Sequence, residues 1–263
     1  MRRRDFLSTI AGATAWPFAV RAQQSAMPVI GTIAEVPLVE PLTDAFRQGM
    51  AELGYVQGKN FAVEYRLKPE SLPQAAADLV RLNVNVIFAA APAALAAVSK
   101  ATTSIPVVGI DLESDPVAKG YVKSLARPGG NITGLFLDIP ELCGKQIGLL
   151  KEIIPRLSRI AIFGVPGLNT SQFKAAEAAA LPLISLFGQF PKNGGLVGYG
   201  PNLPEMFRRC GEYVGKILHG AVPSDLPIQR PEKFDLVINL KTATALGVNI
   251  PTQLQQLADD VIE

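Results

Sequence analysis

An α/β fold, with a parallel sheet covered by helices, follows from three features of the sequence. Short apolar runs rich in Val and Ile recur along the first half of the chain. Between them lie stretches whose apolar residues repeat at helical spacing. Gly, Pro or polar residues divide each run from the next. Such alternation points to βαβ units, whose strands are buried on both faces and therefore read as unbroken apolar runs.

The first strand is Val29-Ile30-Gly31-Thr32-Ile33-Ala34. After a loop with two prolines, the spacing of Leu42, Ala45, Phe46, Gly49, Met50 and Leu53 predicts one apolar helix face, closed by Gly54. Residues 61–66 alternate as a strand, 72–82 predict a helix, and 84–89 predict a strand. A helix at 92–102 carries Pro92 in its first turn, where the missing N–H is no loss. Residues 105–110 form the fourth strand.

Asp115-Pro116-Val117 then predicts a short helix to about residue 126. The Gly pair in Arg127-Pro128-Gly129-Gly130-Asn131 predicts a turn. A strand at 132–137, a helix at 140–154 and a strand at 158–164 read as the start of a second α/β unit, with a crossing near 111–138. A helix at 171–180 runs straight into the apolar stretch 181–187. A polar loop at 189–195 precedes a strand at 196–200. Met206, Cys210, Tyr213, Val214 and Ile217 share one face of a helix within 201–218. A strand at 236–239 and a helix after Lys241 complete the reading. The second unit is thus short of strands between 158 and 200, against four before the crossing.

The N-terminus has the layout of an export signal: Arg2, Arg3 and Arg4, then a mildly apolar run, then small residues ending at Ala22. Arg3-Arg4 before Asp5-Phe6-Leu7 resembles the twin-arginine form. Cleavage after Ala22 and a periplasmic location are expected. Arg2, Arg3, Arg4 and Arg21 against Asp5 outweigh the whole-chain net charge of +2, so the remainder is close to neutral and slightly acidic. That balance gives no support to nucleic-acid binding. A hydrophobic content of 48% with 18% charged residues fits a globular protein with a large core. No later apolar run is long enough to span a membrane. Cys143 and Cys210 are the two cysteines, read as separate buried thiols rather than a bridge.

Catalytic chemistry finds little support. The single histidine, His219, ends a predicted helix, where a cationic imidazole favours the helix C-terminus. There is no Gly-x-Ser-x-Gly elbow to give it a nucleophile. No Cys-x-x-Cys pair, phosphate loop or dinucleotide fingerprint occurs. No catalytic residue, metal ligand or cofactor is assigned. Acidic residues near strand ends are the stronger candidates: Glu35 after strand one, and Asp111, Glu113 and Asp115 after strand four. Ligands of open α/β sheets bind beyond those ends, and a carboxylate there could hold an amino group. N-capping by Ser114 or Asp115 is the alternative. Backbone N–H groups of Ala89-Ala90-Ala91-Pro92-Ala93, at a helix start, could meet a ligand carboxylate.

Three long segments carry a resemblance. They are Glu52-Leu53-Gly54-Tyr55-Val56-Gln57-Gly58-Lys59-Asn60 with Val63-Glu64-Tyr65-Arg66; Asp115-Pro116-Val117 with Leu125-Ala126-Arg127-Pro128-Gly129-Gly130-Asn131-Ile132-Thr133-Gly134; and Phe234-Asp235-Leu236-Val237-Ile238-Asn239-Leu240-Lys241-Thr242-Ala243 with Leu246-Gly247 and Ile250-Pro251. Together they resemble the ABC transporter substrate-binding proteins of the tryptophan/tyrosine-uptake-like kind. The resemblance implies a two-lobed periplasmic-binding-protein-like fold, hinged around a small amino-acid-like solute, with aromatic solutes among the candidates. It implies delivery to an ABC permease and its ATPase at the inner membrane, by a monomer that is not an enzyme. The implied organisation is an export signal at 1–22, a first α/β lobe at 27–112, a crossover at 113–138 returning the chain to the first lobe or the hinge, a truncated second lobe at 139–200 and a C-terminal part at 201–263 packing across the lobes. The positions matching the cleft are Glu35, Ala90, Ala91, Asp115, Tyr199 and Gly200.

Two departures stand out. Ala89-Ala90-Ala91 replaces a turn that carries Thr or Ser in the family, and a stretch is missing between Ala180 and Leu181, which leaves the second lobe incomplete. The alternatives are a degenerate paralogue that binds nothing, or a secreted α/β hydrolase using His219.

Overall fold

The computed structural model describes residues 27–137, 139–157 and 181–263. The export signal expected at 1–22, the strand at 158–164 and the helix at 171–180 lie outside the described residues. Five strands form the first sheet: β1 (Val29–Ala34), β2 (Ala62–Leu67), β3 (Val86–Ala90), β4 (Val107–Asp111) and β5 (Ile132–Phe136). They are all parallel, in the order β2-β1-β3-β4-β5. Central strands β3 and β4 are buried at every position, which explains why they read as continuous apolar runs. Strand β5 pairs with β4 over its whole length, so the chain leaves this sheet only after Leu137.

Two layers of helices cover the sheet. Helices α2 (Leu72–Arg81) and α3 (Pro92–Ala101) pack on one face, over Ile33, Ile87, Ala89, Val107 and Phe136. Helix α1 (Glu40–Ala51) covers the other face, over Ile30, Phe88, Val108 and Leu135. It shares that face with a helix from much later in the chain, Leu203–Leu218. These two helices pack backbone to backbone. A Cβ at Gly49 would run into the Arg208 carbonyl, and one at Gly211 into the Phe46 carbonyl. Glycine on both sides of the contact is what permits the approach.

The second lobe starts with α4 (Ile139–Ile153) and holds a four-stranded sheet: β6 (Ile184–Ser185), β7 (Val197–Pro201), β8 (Phe234–Asn239) and β9 (Asp260–Ile262), in that order. Strand β7 leads out of this lobe and β8 leads back in, so the two run antiparallel while the outer pairs are parallel. Among the described residues its core is built around Ile153, Leu196, Val197, Leu236, Ile238 and Leu254. Among the described residues three short helices accompany it: α5 (Gln189–Lys192), with α7 (Leu240–Ala245) and α8 (Thr252–Leu257) following the long helix α6 (Leu203–Leu218).

Three crossings join the lobes: after Leu137, at Pro201-Asn202, and through Arg230 to Lys233. They are tied to one another. Asn202 accepts from Glu205 N at 2.9 Å to cap α6, and its amide donates to both Asp235 oxygens, at 3.1 and 2.9 Å. Asn202 N also donates to the Lys233 carbonyl at 2.9 Å. Gln229 N donates to Gly134 O and accepts at its own carbonyl from Phe136 N, which fastens the third crossing to the first.

Two local expectations fail. The helix expected to start at Asp115 is a single turn. Asp115 Oδ1 accepts from Val117 N at 2.8 Å and Ala118 N at 3.2 Å, and the turn ends at Gly120, whose φ is 73°. Lys123 N then bonds Pro128 O and Val122 is buried, so the segment lies along the α2/α3 face as a loop. The polar loop expected at 189–195 starts instead with helix α5. Phe190 is buried there, and one helical turn is too short for periodicity to reveal. Cys143 and Cys210 are both free, Cys210 deep in the first lobe where burial pushes its thiol pKa up.

Candidate functional site

Strand order decides where the first sheet can receive a ligand. From β1 the chain passes to β2 on one side; from β2 it returns across β1 to β3 on the other side. The loops after β1 and β3 therefore part, leaving a crevice at the carboxyl ends of these two neighbours. Ala34 and Ala90 are register partners there, and Glu35 and Ala91 are the next residues along. Three of the positions expected at the cleft, Glu35, Ala90 and Ala91, thus meet at the switch point. Glu35 is exposed and Ala90 is buried.

Ala91 has φ 94° and ψ 155°, a region that a residue with a Cβ rarely occupies. Its N–H donates to Ile110 O at 2.9 Å and its carbonyl accepts from Leu95 N at 3.1 Å, so both neighbours hold it in place. Strain of this kind costs about 1–3 kcal/mol and collects at functional turns. Ala91→Gly should therefore stabilise the protein by about 1 kcal/mol in urea unfolding. A lower midpoint would contradict the strain.

The carboxyl end of β4 is acidic. Asp111 is fully buried; its Oδ1 accepts from Glu113 N at 2.8 Å and Ser114 N at 3.0 Å, while Oδ2 has no partner. Burial, then the charges of Asp111 and Glu35, hold the Glu113 carboxyl above its ordinary range. Burial, then Asp111, also raises the Tyr121 phenol. Glu35, Asp111 and Glu113 therefore share one field, which favours a cation. Asp115, on the same edge, is exposed and spends Oδ1 on capping its own turn.

Tyr199 and Gly200 sit in the second sheet, on β7. The Tyr199 ring stacks on Phe234 with centroids 5.9 Å apart, and its carbonyl accepts from Gln146 Nε2 at 2.8 Å. Gly200 is buried, and a Cβ there would run into the Leu186 carbonyl, so close packing accounts for this glycine. Beside the Tyr199–Phe234 pair lies a hollow of about 180 Å³, lined by Leu137, Glu141, Leu142, Lys145, Arg230, Pro231 and Phe234. A second hollow, under α1 beside Phe46 and Tyr65, measures about 10 Å³, roughly one water's worth. Of these two, the first alone has room for a solute. Sequence reasoning missed Lys145, Arg230 and Phe234. The available signal was Arg230-Pro231, an Arg-Pro step in the short segment that leads into β8.

His219 caps the end of α6. It is exposed, with Nδ1 3.2 Å from the Gly215 carbonyl and its ring edge-on to Tyr55 at 5.1 Å. These contacts serve the helix end and offer no nucleophile. Among the described residues, no group of three or more His, Cys, Asp or Glu could hold a metal ion, and no helix is long and apolar enough to cross a membrane.

The model of the family "ABC transporter substrate binding protein" matches residues 29–178 and 168–262, and the chain belongs to this family. Its members bind small solutes and work with ABC transporters. The chain is similar to a tyrosine-binding protein of Clostridioides difficile strain R20291, with 21% identity over 89% of this chain and 83% of the relative. That alignment spans 296 positions, more than the 263 residues of this chain, so the relative carries stretches with no counterpart here. Two solved structures share the fold. One is a conserved domain protein from Vibrio cholerae (24% identity, TM-score 0.79), the other a streptococcal ABC domain in complex with L-Trp (20% identity, TM-score 0.79). Each match covers 89% of this chain and 99% of the other.

Proposed function

We propose that this chain is the exported, periplasmic solute-binding component of an ABC importer. It takes up a small amino-acid-like solute between its lobes and delivers it to a permease and ATPase at the inner membrane. The observation that carries this reading is the switch point at Glu35, Ala90 and Ala91, opening on the side where three crossings lead to the second sheet. At the sheet edge the field of Glu35, Asp111 and Glu113 suits an ammonium group, and in the second lobe the Tyr199–Phe234 pair offers a flat apolar surface. The relative named for tyrosine and the neighbour holding L-Trp agree with an amino acid, aromatic ones included. Asp115 and Gly200 contribute through the loop and the strand that shape the cleft. Closure of the lobes about the crossings would enclose the solute.

Thermal melting of the chain lacking residues 1–22, against a broad panel of amino acids and related metabolites, tests this. A true ligand at a hundred times its Kd should stabilise by about 2.7 kcal/mol, rising with concentration. A panel without a single stabilising member would sink the reading. A second reading, a paralogue that no longer binds, draws on the stretches of the relative that have no counterpart here. It predicts cooperative unfolding that no solute shifts.

A further inference from the structure

We infer that Asp111 receives the ammonium group of the solute, through its unpartnered carboxylate oxygen Oδ2. This rests on the solute-binding reading above and makes a protonated amine the group by which solutes are selected.

Asp111 closes β4 at the carboxyl edge of the first sheet. Ala90 and Ile110 are register partners, and Ala91 N donates to Ile110 O at 2.9 Å, so Asp111 comes level with Ala91 at the switch point. On its other side Asp111 pairs with Phe136 of β5, and its carbonyl accepts from Leu137 N at 3.1 Å. The residue therefore stands between the crevice and the first crossing to the second lobe.

Its two carboxylate oxygens are used differently. Oδ1 accepts from Glu113 N and Ser114 N, at 2.8 and 3.0 Å, and shapes the loop after the strand. Oδ2 is buried and accepts nothing. The residue as a whole is 0% exposed. A buried charged acceptor without a donor is costly, because nothing repays its lost hydration. Holding the loop needs one oxygen, which asparagine or serine would also supply. A donor that arrives with the solute accounts for the second.

The surroundings say which donor fits. The charge of Asp111 acts on Glu113, which also feels Glu35 from the switch point, and on the Tyr121 phenol. Such a field attracts a cation and repels a carboxylate. Among the described residues these groups do not assemble into a metal-binding set. An organic ammonium brings three N–H donors and one positive charge, whereas a hydroxyl brings one donor and no charge. The segment after Asp111, residues 112–121, holds one turn and no helix or strand. It must shift for an ammonium to reach Oδ2. Entry of the solute is thereby tied to the loop that Oδ1 holds and, through the bond from Leu137, to the first crossing.

The experiment melts the full chain with each common L-amino acid and, in parallel, with the α-hydroxy acid of the same side chain. The hydroxy acid keeps the carboxylate and the side chain and replaces the ammonium by a neutral hydroxyl. The amino acid that raises the melting temperature should do so at about ten- to a hundredfold lower concentration than its hydroxy acid. In Asp111→Asn, which keeps Oδ1 for the loop, that preference should vanish, and Asp111→Ser should behave alike. Oδ2 has no part in the ligand-free fold, so without solute both variants should melt close to the wild type. Equal stabilisation by amino acid and hydroxy acid, a preference that survives in Asp111→Asn, or unfolding of both variants overturns the inference and leaves solute binding standing. Stabilisation by solutes without an amine alone does the same. Stabilisation by no member of either series or of the wider metabolite panel overturns both.

Discussion

Gly49→Ala is expected to destabilise the protein by about 2 kcal/mol, although alanine is the better helix former. Two effects oppose each other. Replacing glycine inside a helix with alanine gains about 1 kcal/mol from propensity. Against this, the new methyl would overlap the Arg208 carbonyl, part of a helix backbone that cannot rotate aside. Overpacking of this kind typically costs about 1–3 kcal/mol and occasionally more. The same contact is tight from the other side, at Gly211 against Phe46, so neither helix can yield without disturbing the other. Gly144 in α4 is the control, with nothing within 4 Å of the place its new methyl group would take. Gly144→Ala should gain the propensity term alone. Urea midpoints of the two variants would shift in opposite directions; a gain for both would refute the close approach of α1 and α6.

Phe88→Ala is expected to cost about 3–5 kcal/mol, a large share of the stability of a single domain. Phe88 is 1% exposed on β3. Its ring stacks on Phe46 of α1 at 4.8 Å and meets Phe207 of α6 edge-on at 5.5 Å. The residue thus joins the sheet to both helices of one layer, and its removal leaves a cavity that three rigid elements must share. Such sites collapse poorly, which puts the cost at the upper end for a large-to-small change. Chemical denaturation reads it directly. A loss under about 1 kcal/mol would show that the layer closes over the gap.

The first lobe was legible because its signals are local and repeated. Val29–Ala34 and Val107–Asp111 announce buried strands, and the Phe46, Gly49, Met50 spacing announces the face of α1. What sequence could not supply was pairing. Residues 132–137 read either as opening a second unit or as the end of a crossover returning to the first lobe or hinge; only pairing decides, since Gly109 and Gly134 face each other in β4 and β5, and a Cβ at Gly134 would run into the Gly109 backbone. Strand β9 is three residues long, too short for alternation to mark it. The rule that ligands gather beyond strand ends pointed to Glu35, Ala90 and Ala91, which the fold brings together at one crevice. The hollow beside Phe234 had no such pointer, because Leu137, Lys145 and Arg230 are scattered along the chain and only the fold assembles them.

The order in which the chain is made has a consequence for the first lobe. Its sheet is complete by Phe136, but the helix that shields half of one face, Leu203–Leu218, comes only after the chain has passed through α4, β6, α5 and β7 of the second lobe. During synthesis, Phe46, Phe88, Val108 and Leu135 must wait for Phe207, Cys210 and Val214. Such long-range closure is slow and leaves apolar surface open to wrong partners. The nascent chain should therefore engage holding chaperones until late in translation. A stop placed before residue 203 would yield an aggregating fragment, while one placed just after 230 would release a first lobe with both layers in hand.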